Sequence, residues 1–309
     1  MTSFLVRRTG QAALALFGVC TLIFFLTRLT GDPVLLMAPE GATRADIEAL
    51  RTALGFDRPL IVQYWEYLNG LMRFDFGQSI VQRVPVMDII VSRLPYTLGL
   101  AAAALVVALG LGVPMGVYMA VHRARPLARV LMGVVLAGQS LPTFWSGILL
   151  ISLFAVTLGW LPSSGAREVT SVIMPAIALG LLSMATFARV ARSAVLDELS
   201  KPYVRAARAK GLSTGRVVRR HVLRNGSIPV ISVSALEIAN LLAGAVIVET
   251  VFAWPGLGLL TVQAIQARDF PIVEAVVLLS AVVSIGLNLI ADILYSVVDP
   301  RITLDGAAR

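Results

Sequence analysis

Residues 94–121 contain no Asp, Glu, Lys or Arg. As a helix, that run is long enough to cross the hydrocarbon core of a bilayer, which takes about 20 residues. In lipid every backbone N–H and C=O must be satisfied within the protein, so an apolar run of this length reads as a spanning helix. Similar uncharged runs occupy 9–27, 130–166 and 169–188. Two more, 227–248 and 275–298, carry one acid each, Glu237 and Asp292. The run 130–166 exceeds a simple span, and its Trp160 and Pro162 mark an exit to the interface near Leu158. Six spans are the simplest count, which places both termini on one side. Charged residues make up 14% of the chain, against about 25% in soluble domains. With a mean hydropathy of +0.83, a soluble globule, a disordered chain and a coiled coil are excluded. The expected fold class is an all-α integral membrane protein. The single cysteine, Cys20, cannot form an internal disulfide.

Orientation follows from Lys and Arg in short loops. With a cytoplasmic N-terminus, the inner segments 1–8, 122–129, 189–224 and 299–309 hold 17 basic residues. The short outer loops 159–168 and 249–274 hold only Arg167 and Arg268. The net charge of +8 is therefore mostly positive-inside topology, and a nucleic-acid partner is not expected. Arg7 and Arg8 before an apolar run resemble a signal peptide, but no A-x-A-like site precedes Gly31. The chain then divides into a signal-anchor helix (1–30), an extracytoplasmic helical segment (31–93), a core with five further spans (94–298) and a cytoplasmic tail (299–309). The inner loop 189–226 lies within that core.

The outer segment carries helix signals. Thr43 and Asp46 make a capping-box start and Gly55 a stop. Pro59 fits the first turn of a second helix, with Leu60, Tyr64, Leu68 and Leu71 on one face. Pro85 can open a third, and Tyr64, Trp65 and Tyr67 suit the membrane interface. In the inner loop, Tyr203-Val204-Arg205-Ala206-Ala207-Arg208-Ala209-Lys210-Gly211 reads as a short helix, about 203–214, with Gly211 suited to end it. Small residues permit close approach to another protein, and basic ones can fix its orientation. An ordinary basic loop touching anionic lipid fits the same composition.

These residues resemble the loop signature of binding-protein-dependent ABC importer permeases, E-A-A, three residues, Gly, then I-x-L-P. Arg205-Ala206-Ala207 and Gly211 align with its first part and Ile228-Pro229 with a compressed end. Arg205 in place of glutamate is similar to the dipeptide/oligopeptide branch, Y-V-R-T-A-R-A-K-G-L and R-N-x-x-I-P-V. Further fragments resemble that branch in order: Leu29-Thr30-Gly31-Asp32-Pro33, Leu54-Gly55-Phe56-Asp57-Arg58-Pro59-Leu60, Phe74-Asp75-Phe76-Gly77-Gln78-Ser79, and Arg93-Leu94-Pro95-Tyr96-Thr97-Leu98. Glu249-Thr250-Val251-Phe252, Trp254-Pro255-Gly256-Leu257-Gly258 and Asp299-Pro300-Arg301 complete the series. The long segment after the first span resembles the B-type subunit. The resemblance implies a type I importer fold in a bacterial inner membrane. It implies a second homologous permease, two cytoplasmic ATPases that bind ATP and Mg, and an outer solute-binding protein. It also implies that Tyr203, Arg205, Ala206, Ala207, Arg208, Lys210 and Gly211 couple to an ATPase. Glu249, Trp254, Pro255 and Gly256 would form an outer gate or docking site. The cargo would be di- or oligopeptides, or alternatively glutathione, nickel chelates or a sugar conjugate.

No G-x-x-x-x-G-K-[ST] phosphate loop occurs, so the chain itself is expected to be non-catalytic and without a cofactor. His122 and His221 fall in inner loops as interface residues rather than metal ligands. A carboxylate at mid-span costs about 2.5–3.5 kcal/mol, so Glu237 must face protein or a wet cavity. With Asn240 it either lines a substrate path or hydrogen-bonds a neighbouring helix or the partner permease. Asn288 and Asp292 are expected to pack near the inner interface. A stand-alone secondary transporter would need more midplane ionisable groups than Glu237. A membrane hydrolase would need paired catalytic groups, which the sequence lacks.

Overall fold

The computed structural model describes residues 2–29, 34, 41–53 and 55–298, with side chains over 8–26, 34, 41–49, 51–52 and 55–290. The motifs at 29–33 and 299–301, Leu54, the side chain of Asp292 and the tail 299–309 lie outside the described residues. The described chain is almost wholly helical. In order come α1 (Thr2–Leu29), α2 (Arg44–Ala53), α3 (Leu60–Met72), α4 (Val86–Val121), α5 (Pro126–Ser140) and α6 (Thr143–Leu150). They are followed by α7 (Ile173–Ser200), α8 (Pro202–Ala209), α9 (Thr214–Val217), α10 (Leu223–Val251), α11 (Leu257–Gln266) and α12 (Phe270–Val298). Among the described residues, 5 helices are long and apolar enough to cross a membrane, or up to 6 if one bent pair is a single span.

That pair adds a bend to the sequence reading. The run 130–166 holds more than one simple helix, as expected, and its helical part ends at Thr157, beside the expected exit at Leu158. It breaks between Pro126–Ser140 and Thr143–Thr157, with a bend of 109°. Pro142 is the cause: it has no N–H to donate and biases Leu141 away from helical backbone, which here is extended (φ −84°, ψ 127°). The other spans run longer than their uncharged cores. The fourth extends to Ser200 and the fifth runs from Leu223 to Val251.

The chain divides into two compact units, Met1–Pro95 with Leu259–Ile285, and Tyr96–Gly258 with Gly286–Arg309. In the first, the local signals at 43–55 behave as written, while Pro59, expected in the first turn of the second helix, is the extended residue (φ −52°, ψ 139°) just before it. Thr43 N donates to Asp46 at 2.9 Å while Asp46 N donates to Thr43 Oγ1 at 3.3 Å, the reciprocal capping box. Tyr67, Leu68, Leu71 and Phe76 pack on Cys20, Ile23 and Leu278. Tyr64 shares a 2.7 Å hydrogen bond with Thr21. Leu60, expected on that same face, is exposed instead. Asp269 is buried and ties in the turn before α4: it accepts from Ser79 Oγ at 2.5 Å and from the Ile80 N–H at 3.1 Å.

In the second unit α7 is the central element, and it meets α4 backbone to backbone. A Cβ built on Gly112 would lie 2.5 Å from the Met184 carbonyl oxygen, and one on Gly116 2.3 Å from that of Ala188. Gly112 and Gly116 form a G-x-x-x-G pair, the spacing that lets membrane helices approach most closely. Ala108 and Ala191, buried in the same cluster, continue this small-residue contact.

Candidate functional site

α7 ends on the membrane-flanking loop that the sequence singled out. Lys201 is its extended exit residue (φ −69°, ψ 149°) and at the same time the residue that opens α8. Pro202 takes the first helical position, where a missing N–H costs nothing. The elbow is held by Glu198 in the last turn of α7. Glu198 is buried, pairs with the Lys201 ammonium, and accepts a 2.6 Å hydrogen bond from the Tyr203 hydroxyl. Burial, and then the bond to Glu198, push the Tyr203 phenol above its ordinary value. The Glu198 hydrogen bond holds the Lys201 ammonium above its own.

The helix beyond the elbow is shorter than the expected 203–214: it stops at Ala209. The Gly211 N–H donates to Arg208 O at 2.9 Å and the Leu212 N–H to Ala207 O at 3.3 Å, the paired bonds of a Schellman stop. Gly211 has φ +83°, a conformation that a Cβ resists. Beneath α8, Val204 is fully buried with Ala120, Val195, Val217 and Val222. Tyr203, Ala207 and Leu212 pack on this cluster. Ala206 and Ala207 therefore do not share an outward small face: Ala207 turns to its own chain. The outward side is Arg205, Ala206, Arg208, Ala209 and Lys210, all exposed. Sequence reasoning missed Glu198 as the residue that holds this elbow.

Glu237 and Asn240 part company. Glu237 is buried in α10, where its Oε2 accepts from Ser183 Oγ of α7 at 2.5 Å, whereas Asn240 is exposed. Of the alternatives for Glu237, this geometry realises the bond to a neighbouring helix. Asn288, expected to pack, is exposed as well.

The turn from α10 to α11 is built around Glu249, which is fully buried. Its Oε1 accepts from Thr97 Oγ1 at 2.7 Å and its Oε2 from the Gly258 N–H at 2.7 Å. Thr97 Oγ1 in turn accepts from the Leu257 N–H at 2.8 Å. A carboxylate and a hydroxyl thus satisfy the first two orphan donors of α11, at the end where its dipole favours negative charge. Trp254 is also buried, donating from Nε1 to Tyr96 O at 3.0 Å. Gly256 is buried too, and a Cβ there would fall 2.2 Å from Glu249 Oε1. Glu249, Trp254 and Gly256 hold the turn together from inside. Pro255 alone of the four is partly exposed.

Among the described residues, no three His, Cys, Asp or Glu side chains gather into a metal site. His122 stacks on Tyr118 at 4.5 Å between ring centroids, and His221 is half-buried in the π-helical stretch Val218–Val222 that joins α9 to α10.

Residues 112–304 match the family model for the binding-protein-dependent transport system inner membrane component. Residues 1–101 match the model for the N-terminal part of such membrane components. The chain belongs to this family of ABC importer permeases. It is 41% identical over 303 residues to the glutathione transport system permease protein GsiC of Escherichia coli (strain K12), covering 98% of this chain and 99% of the relative. It is 38% identical over 314 residues to the putative peptide transport system permease protein BAB2_1050 of Brucella abortus (strain 2308), covering 99% and 100%. The inward-facing MetNI methionine ABC transporter shares the fold. The match has a TM-score of 0.59 and 20% identity, over 69% of this chain and 97% of that one. As a permease of this family, the protein is a multi-pass, non-catalytic membrane subunit of an ABC importer.

Proposed function

We propose that this permease forms half of the translocation pore for di- and oligopeptides, with a second homologous permease forming the other half. Two ATPase subunits, which hold ATP and Mg, sit beneath it, and a solute-binding protein delivers cargo from outside. The observation that carries the substrate class is similarity over nearly the full length to permeases named for glutathione and for peptides. Glutathione is itself a short peptide, so the two readings describe one chemical class and differ in size and side chains. The outward side of α8, with Arg205, Arg208 and Lys210 around Ala206 and Ala209, is the ATPase contact. The Thr97–Glu249–Gly258 clamp fixes the outer gate, and 28–93 with 249–274 meets the binding protein. Both termini are cytoplasmic in a bacterial inner membrane, the side set by the 17 basic residues of the proposed inner segments.

Two experiments test this. Uptake of tritiated Ala-Ala, a tetrapeptide and glutathione into proteoliposomes holding the assembled complex should be ATP-dependent for at least one of them. Uptake of none overturns the substrate class. A cysteine placed at position 70 should react with an impermeant maleimide from outside; reaction only from the cytoplasmic side reverses the topology.

A further inference from the structure

We infer that Arg83 and Arg268, held in place by the buried carboxylate of Asp269, form one contact for an acidic patch on the solute-binding protein. The inference rests on the reading of 28–93 and 249–274 as the docking face for that protein. Asp269, just before α12, joins the two segments. It accepts from Ser79 Oγ and from the Ile80 and Val81 N–H groups, the last two at 3.1 and 3.3 Å. Ser79 and Asp269 are both buried, and all these residues belong to one compact unit.

The two arginines flank this clamp. Arg268 directly precedes Asp269, and the Arg83 N–H donates to Ser79 O at 3.0 Å. Both have a left-handed backbone, φ +55° for Arg83 and +56° for Arg268, which a Cβ disfavours and which glycine or asparagine ordinarily fills. Both are exposed, and among the described residues no carboxylate pairs with either. The fold therefore gains no ion pair from two side chains whose backbone is unfavourable. Strain of this kind collects where a residue has a task beyond the fold. Arg268 also runs against the positive-inside bias, as one of two basic residues in the short outer loops. A surface turn can stay mobile without harm to the core. Bonding it to a buried carboxylate fixes it before a partner arrives and so lowers the entropy lost on binding.

Guanidinium groups recognise carboxylates in a planar, bidentate manner. Val81 and Val84, 59% and 40% exposed on either side of Arg83, add apolar contact around the charge. This is the make-up of a protein interface rather than of a cargo pocket. A cavity of about 270 Å³ in the same unit is lined by Glu66, Asp75 and Glu274 and by neither arginine. The occupant is thus a protein surface that carries carboxylates, and the solute-binding protein is the one that meets this side. Arg83 and Arg268 touch the partner, and Asp269 is a positioning residue.

The test titrates the importer's own labelled solute-binding protein onto the complete complex in nanodiscs and reads Kd at about 0.05 and 0.3 M salt. Asparagine tolerates the left-handed backbone, so Arg83→Asn together with Arg268→Asn removes both charges and leaves the turns intact. Kd should rise about tenfold at the lower salt and depend less on salt, with an unchanged melting temperature. Asp269→Asn should also weaken binding, and should cost nothing further in the background that lacks both arginines. An equal cost there overturns the positioning role. If Asp269→Asn fails to assemble, the arginine pair decides. A Kd within twofold of wild type in that pair overturns the contact, including where peptide uptake alone suffers, which assigns the arginines to cargo. A loss of affinity that follows the melting temperature overturns it too. So does a loss seen only in nanodiscs with anionic lipid, which assigns the arginines to headgroups. A separate arm cross-links Gln78→Cys and Gln266→Cys to the solute-binding protein in an otherwise wild-type complex. Absence of both cross-links removes the docking face, and the contact with it; their presence with a preserved Kd removes the contact only.

Discussion

The turns at 249–258 and 198–212 both hang on one buried carboxylate, yet they differ in what surrounds it. Around Glu249 there is no room: Gly256 and Gly258 are both glycines because a Cβ would strike the carboxylate, at 2.2 and 2.9 Å. Around the α8 elbow the crowding stops at Glu198, and the glycine that ends the helix, Gly211, has nothing within 4 Å of where a Cβ would stand. The first glycine is required by space and the second by backbone angle. A turn packed to the last atom can only be fixed. A turn held by side-chain hydrogen bonds at one end and open at the other can be pushed.

Substitutions that reverse this difference should rank accordingly. Gly256→Ala has the largest expected effect, a loss of about 3 kcal/mol from overpacking, read as a lower melting temperature of the detergent-purified protein. Because the clash is with Glu249, the cost should fall sharply in a Glu249→Ala background; additive costs would show that the crowding lies elsewhere. Glu249→Gln should cost about 2 kcal/mol, since it trades a charged acceptor at the start of α11 for an amide. Gly211→Val should cost about 1–2 kcal/mol through its left-handed backbone alone, and Gly211→Asn far less, because Asn tolerates that conformation. Equal losses from Val and Asn would mean that space around Gly211 matters after all.

The smallest expected effect is one of pH. The Lys201 and Tyr203 pKa values are both raised in the folded protein. Their contribution is therefore complete below the ordinary lysine and tyrosine values and is lost only as pH rises through the raised ones. Stimulated ATP hydrolysis should not change between about pH 6 and 9 on account of this pair. A decline within that window that Tyr203→Phe abolishes would contradict it.

What could be read from the sequence was whatever had a local cause. Thr43 and Asp46 cap α2 three residues apart, and Gly55 ends the next turn with φ +73°, so short-range chemistry specified both. The spans were legible because lipid imposes length and polarity on each one separately. The break at Leu141–Pro142 was hidden because the run stays uncharged on both sides, although Pro142 itself was the signal. The burial of Glu249 and Trp254 depends on Thr97 and Tyr96, about 150 residues earlier in the chain, and no local pattern encodes that. The same holds for Ser183 beneath Glu237. Ala207 was misplaced for a subtler reason: on an eight-residue helix one buried valine decides which side faces in.

The seam between α4 and α7 has a thermal consequence. Gly112, Gly116, Ala188 and Ala191 have no side-chain rotamers to freeze, so joining these two helices carries almost none of the entropic penalty that grows with temperature when Leu or Met side chains are ordered. Warming, or exchange of one lipid for another, should loosen the neighbouring leucine- and phenylalanine-lined contacts first. The two rods should then travel together as a single stiff beam, which leaves bending and sliding to contacts lined by longer side chains.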